Sequence, residues 1–167
     1  MKADGKKMKI AVGTVALTML ITALALAAYR SVNTPERSLE RYFDAVSERD
    51  YDKMYLLISD DSKKTISRED FITRNKNIYE GIEARDLKLE IMSVEKIDSN
   101  QRQAYYNLRM ETVAGALGNP GNVRLRKDSF FGEYRLVWNS AVILPGLSET
   151  AKVSVATTAA DRGSILD

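Results

Sequence analysis

The chain has 167 residues, 44% of them hydrophobic and 29% charged, with a formal net charge of +2. That balance suits one globular domain of ordinary size plus an appendage. It has no cysteine and no histidine. This excludes Cys nucleophiles, Ser-His-Asp triads, His- or Cys-ligated zinc, disulfides and Cys-linked lipid, and leaves only oxygen ligands for a metal. Five cations (Lys2, Lys6, Lys7, Lys9, Arg30) against Asp4 put +4 in the first thirty residues and leave −2 on the rest. A near-neutral body makes no case for nucleic acid as a partner.

The first element is a membrane-type segment. Ile10 to Tyr29 is uncharged for twenty residues, about 30 Å as a helix, which matches the hydrocarbon core of a bilayer. Residues 1–9 read as a basic cytoplasmic tail and 10–30 as a transmembrane anchor, with everything after Arg30 outside the cytoplasm. The expected place is therefore a cell membrane, single-pass, with the N-terminus cytoplasmic and the lipid bilayer as partner through Ile10 to Tyr29. Ala25-Leu26-Ala27 offers the other reading, a cleaved signal peptide, which would export the body equally.

The exported body opens with helices. Thr34 is a candidate cap and Pro35 suits a first helical position. Leu39, Tyr42, Phe43 and Val46 recur at i, i+3, i+4 and i+7. Asp50 can cap a second, short helix in which Met54, Leu57 and Ile58 face inward. Ser67 with Asp70 is a capping-box pattern for a third helix striped by Phe71, Ile72, Ile78, Tyr79 and Ile82. After Ala84 the period changes to two. Leu87, Leu89 and Ile91 alternate, then slip in phase around Met92-Ser93-Val94, which predicts a bulge. Asp98-Ser99-Asn100 is turn chemistry. Tyr106, Leu108, Met110 and Thr112 alternate in the next strand. Gly118-Asn119-Pro120-Gly121-Asn122 reads as another turn, followed by two strands joined near Gly132. Three helices followed by an antiparallel meander give an α+β domain over residues 34–146.

From Trp138 the sequence carries Val142-Ile143-Leu144, Pro145 and, at the end, Arg162-Gly163-Ser164-Ile165-Leu166-Asp167. Together with the anchor and the element order, these landmarks resemble class B penicillin-binding proteins. The resemblance implies a nuclear transport factor 2-like cone, three helices packed on a curved antiparallel sheet. It also implies that 147–167 is a linker and the start of a pedestal leading to a transpeptidase region absent here. Peptidoglycan cross-linking and β-lactam binding would then belong to the full-length protein. This chain would be a non-catalytic anchor and spacer, whose partners are the downstream transpeptidase region and, at most, other cell-wall proteins. Two other readings fit the architecture: a complete single-pass scaffold of the type IV secretion kind, and a small anchored enzyme or ligand-binding cone.

No residue is assigned a catalytic, cofactor-binding or metal-binding role, and no cofactor is expected. Ser93-Val94-Glu95-Lys96 matches a Ser-x-x-Lys pattern by letters, but in an alternating strand and without its partner motifs. Tyr42, Tyr55, Tyr79, Tyr105 and Tyr106 could furnish a cone active site only if some met a carboxylate inside. Arg124, Arg126 and Lys127 could meet anionic lipid or wall polymer, or simply form a solvated face. Trp138 is expected to pack at a strand end on the first body helix. Gly163 could supply a positive φ at the entry to the next region or keep a linker flexible.

Overall fold

The computed structural model describes residues 3–129, 132–151 and 153. Helices come first: α1 (Ala3–Val32), α2 (Pro35–Ser47), α3 (Tyr51–Leu56), α4 (Asp60–Thr65) and α5 (Arg68–Gly81). Four strands follow, β1 (Arg85–Lys96), β2 (Gln101–Thr112), β3 (Gly115–Lys127) and β4 (Tyr134–Val137). They form one antiparallel sheet in sequence order, and a 3-10 turn at Ser140–Val142 comes after it. The body is therefore α+β, as the change of period predicts.

Among the described residues, no helix is long and apolar enough to cross a membrane. The span expected over 10–30 is thus not found there. Within α1 the side chains described run from Val15 to Tyr29, a length of about 22 Å along a helix axis.

The helix starts follow from local chemistry. The Thr34 hydroxyl accepts the Arg37 N–H at 3.2 Å, and Pro35 occupies the first turn. The Asp50 carboxylate accepts the Lys53 N–H at 2.9 Å. The Ser67 hydroxyl accepts the Asp70 N–H at 3.1 Å and donates to the Asp70 carboxylate at 2.6 Å. Each such cap is worth about 1 kcal/mol against alanine. Helix α4 is additional to the three expected. Its sequence, DDSKKT, has no apolar stripe, so periodicity could not reveal it. The Ser59 hydroxyl starts it by accepting the Ser62 N–H at 3.2 Å. Asp60 and Asp61 on α4 reach across to Arg135 of β4 and Arg126 of β3, which also lie near Asp128.

The sheet carries the predicted slip: the β1–β2 register shifts between Ile91 and Ser93, and again between Arg85 and Lys88. Tyr106, Leu108, Met110 and Thr112 are all buried. Correction is needed at Gly118–Asn122, read above as a turn. It lies inside β3 and pairs residue for residue with β2, from Arg109↔Gly118 to Tyr105↔Asn122. The actual reversal is at Val113-Ala114, closed by Gly115 at φ +105°. Proline is tolerable within β3 because β4 pairs only with Arg124–Lys127, leaving the other margin of β3 open beside Pro120. Gly121 faces Tyr106, and a Cβ there would sit 2.6 Å from the phenol ring. The glycine is what lets the ring lie flat on β3.

Helices α2 and α3 pack together, α2 against β1 and β4, and α3 against α5. Leu39, Tyr42, Met54, Phe71, Leu125 and Leu136 are buried where these layers meet. Each such aliphatic side chain contributes roughly 1.5–3 kcal/mol. The outer margin of β4 is closed by the 57–59 segment: Leu136 N–H donates to Leu57 O at 3.0 Å, and Ser59 N–H to Leu136 O at 2.8 Å.

Candidate functional site

The letter match at Ser93 and Lys96 has no catalytic geometry. From Ser93↔Tyr105 to Lys96↔Arg102 the pairing is unbroken, so residues three apart point to opposite faces of the sheet. No nucleophile–base contact can form between them.

The five tyrosines divide. Tyr42 of α2, Tyr79 of α5 and Tyr106 of β2 are buried, and their phenols influence one another. Burial pushes all three hydroxyls well above the ordinary tyrosine range, and neighbouring phenols add to this for Tyr42 and Tyr79. The Tyr79 hydroxyl donates to Ile143 O at 3.3 Å. Those of Tyr42 and Tyr106, with the Trp138 indole N–H, have no hydrogen-bond partner of good geometry among the described residues. Tyr55 lies elsewhere, against Phe71 and donating to Ile66 O at 3.4 Å. Tyr105 is 40% exposed on the far face of the sheet. No carboxylate is among the groups acting on Tyr42, Tyr79 or Tyr106. The phenol-plus-acid pair that a cone active site requires is not assembled among the described residues. The nearest such contact is peripheral, Tyr51 to the Glu80 carboxylate at 3.4 Å. Burial first, then the Glu80 charge, pushes Tyr51 up to about 12. Trp138 is buried, as expected; its ring meets Phe71 of α5 at 4.9 Å, and its side chain also acts on the Tyr42 hydroxyl of α2, the first body helix.

The basic trio also divides. Arg126 is committed to Asp61 and Asp128. Arg124 is exposed, and the Lys127 ammonium lies 4.6 Å from the centre of the Tyr134 ring.

Two places are built with more care than a solvated surface needs: the chain's entry to the body and its exit. At the entry, Asn33 donates to Gly132 O at 3.0 Å and accepts the Tyr134 N–H at 3.3 Å. One amide thus ties the end of α1 to the start of β4. At the exit, the Glu149 carboxylate accepts both the N–H (2.9 Å) and the hydroxyl (2.8 Å) of Ser140. The Arg74 guanidinium of α5 donates to Ser148 O at 3.0 Å and Ala151 O at 3.4 Å. Leu144, Leu147 and Val153 pack against the core. A trough of about 650 Å³ runs beside this clamp, lined by Ile66, Asp70, Arg74, Ile78, Glu149 and Val153. Sequence reading missed both clamps. Each joins residues far apart in the chain, or a carboxylate to a turn, and no spacing announces either.

Residues 34–151 match the family described as the NTF2-like N-terminal transpeptidase domain. The chain belongs to that family. Among curated proteins it is similar to penicillin-binding protein 3 of Bacillus subtilis (strain 168), at 26% identity over 154 residues. The alignment covers 89% of this chain and 23% of that relative, so the chain spans about a quarter of the relative's length. The match to this transpeptidase-domain family starts at the Thr34 cap and ends at Ala151, the last carbonyl held by Arg74. The Arg162–Asp167 landmark lies outside the described residues.

Proposed function

We propose that this chain is the non-catalytic, membrane-anchored spacer of a penicillin-binding protein. The observation that carries this reading is the coincidence of the family match with a body clamped at both its entry and its exit. A segment whose task is to hold a neighbour at fixed height needs stiff ends more than a pocket. Arg74, Glu149 and Asn33 stiffen them with hydrogen bonds that cross the fold.

The anchor part rests on α1. Val15, Leu17, Met19, Leu20, Ile21, Leu24 and Leu26 are all exposed, and helical spacing spreads them round the whole axis. A helix apolar on every side suits a lipid environment rather than a packed face. The sequence adds five uncharged residues, Ile10 to Thr14, ahead of that set. In the full-length protein the transpeptidase chemistry would lie beyond this chain, in the cell envelope.

The absence of native cysteine makes the test clean. In bacterial cells an impermeant maleimide should label a Ser148→Cys variant before lysis and a Lys6→Cys variant only after it. The purified chain, incubated with fluorescent penicillin beside the B. subtilis relative, should acquire no covalent label. Labelling of Lys6→Cys in intact cells refutes the topology, and a penicillin adduct on this chain refutes the non-catalytic role.

A further inference from the structure

We infer that one end of the sheet is a lipid-contact surface, on which Lys96, Arg102 and Lys127 meet the anionic headgroups of the bilayer that holds α1. This rests on the anchor reading above and adds to it the posture of the body on the membrane.

Register places the three cations together. Lys96, the last residue of β1, is opposite Arg102 near the start of β2. Lys127, the last residue of β3, is opposite Tyr134, and its N–H donates to Asn100 O at 2.9 Å. Arg102 lies opposite Leu125, which is fully buried, so this cluster sits on the core-side face at the sheet's rim. The Arg102 guanidinium and the Lys127 ammonium both lie over the Tyr134 ring, at 5.5 and 4.6 Å from its centre. Tyr134 is also the residue whose N–H is held by Asn33. The cations therefore stand on the residue that ties down the end of α1.

Among the described residues, none of the three forms an ion pair with a carboxylate, and Arg102 donates only to the carbonyls of Asp98 and Gln101. The acids nearby are already engaged. Asp98 accepts from Asn100 N–H and Gln101 N–H, and these bonds, with the Arg102 charge a lesser contribution, hold it below its usual range. Asp128 faces Arg126 and Arg135, and Glu133 pairs with Arg41. Ile97, 48% exposed, projects from the turn between β1 and β2 beside Lys96. Three cations outside any salt bridge among the described residues, at the same end of the sheet as the exposed Ile97 and next to the point where α1 arrives, complement an anionic headgroup layer. The opposite end of the sheet bears Val113, 44% exposed. The 12 residues of β2 separate it from Ile97 by about 40 Å.

The test uses the full chain in lipid nanodiscs, of phosphatidylcholine alone or in equal parts with phosphatidylglycerol. Single-cysteine variants Ile97→Cys and Val113→Cys are reacted with a bulky maleimide. With phosphatidylglycerol, labelling of Ile97→Cys should slow by about tenfold, while Val113→Cys reacts alike in both discs. High salt, or the added substitutions Lys96→Gln, Arg102→Gln and Lys127→Gln, should restore the rate. Circular dichroism confirms that the variant is folded, and Lys96→Gln with Lys127→Gln alone serves if the triple variant is not. Equal labelling of Ile97→Cys in both discs, with the chain still disc-bound in high salt, overturns the surface contact and leaves the anchor intact. Release from the discs in high salt overturns the anchor reading on which this posture rests.

Discussion

Tyr106 and Gly121 show how a single pair sets local geometry. Alternation along β2 places Tyr106 inward, and this is legible in the sequence. That its ring lies on the backbone of Gly121 follows from a cross-strand register that no local pattern reveals. Gly121→Ala puts a methyl 2.6 Å from the ring and should destabilise the fold by about 1–3 kcal/mol in urea unfolding. Combining it with Tyr106→Leu should cost less than the sum of the two changes, since the second removes what the first strikes. The phenols also set the alkaline limit. Tyr51, raised to about 12, and Tyr42, Tyr79 and Tyr106, raised further, stay protonated in the fold after unfolded tyrosines ionise near ~10. The folded state then holds more protons, so stability is full below about pH 10 and falls as pH rises from there through 12. Thermal melts across that range should show a steady drop in Tm. Replacing Tyr51 with Phe should lessen the drop.

Among elements, those with a cap or a clear period could be read from the chain: α2, α3, α5, β2 and the bulge in β1. Those that could not, depend on partners. Helix α4 forms from a polar hexapeptide because Ser59 caps it and because Arg126 and Arg135 hold its acids. The run through Pro120 has every local sign of a turn, yet twelve successive pairings with β2 keep it extended. Tertiary pairing outweighed turn propensity there, as it does wherever a neighbour strand is long and in register. The exit segment belongs with these. Only two serines, a glutamate and an arginine mark it, and none is diagnostic. Arg74→Ala removes the bonds to Ser148 O and Ala151 O. Limited proteolysis should then cut near Ser148–Ala151 several times faster, while the melting temperature of the body changes little.

At the scale of the molecule, the body is a small α+β unit held by one amide at its entry and by a carboxylate and a guanidinium at its exit. Its interior is filled by aromatic and aliphatic side chains. Helices first and an antiparallel sheet after them was readable, α4 and the extent of β3 apart, and the family resemblance drawn from that order agrees with the match over residues 34–151. The clamps were invisible, because they are contacts between segments that no local spacing links. The sheet's margins carry one more consequence. β1 is kinked twice by register shifts, the free stretch of β3 carries a proline, and β4 is covered by the 57–59 segment. None offers a long, straight, unpaired ladder to a second copy. Crowded side by side, such molecules can brush past one another without zipping edge to edge.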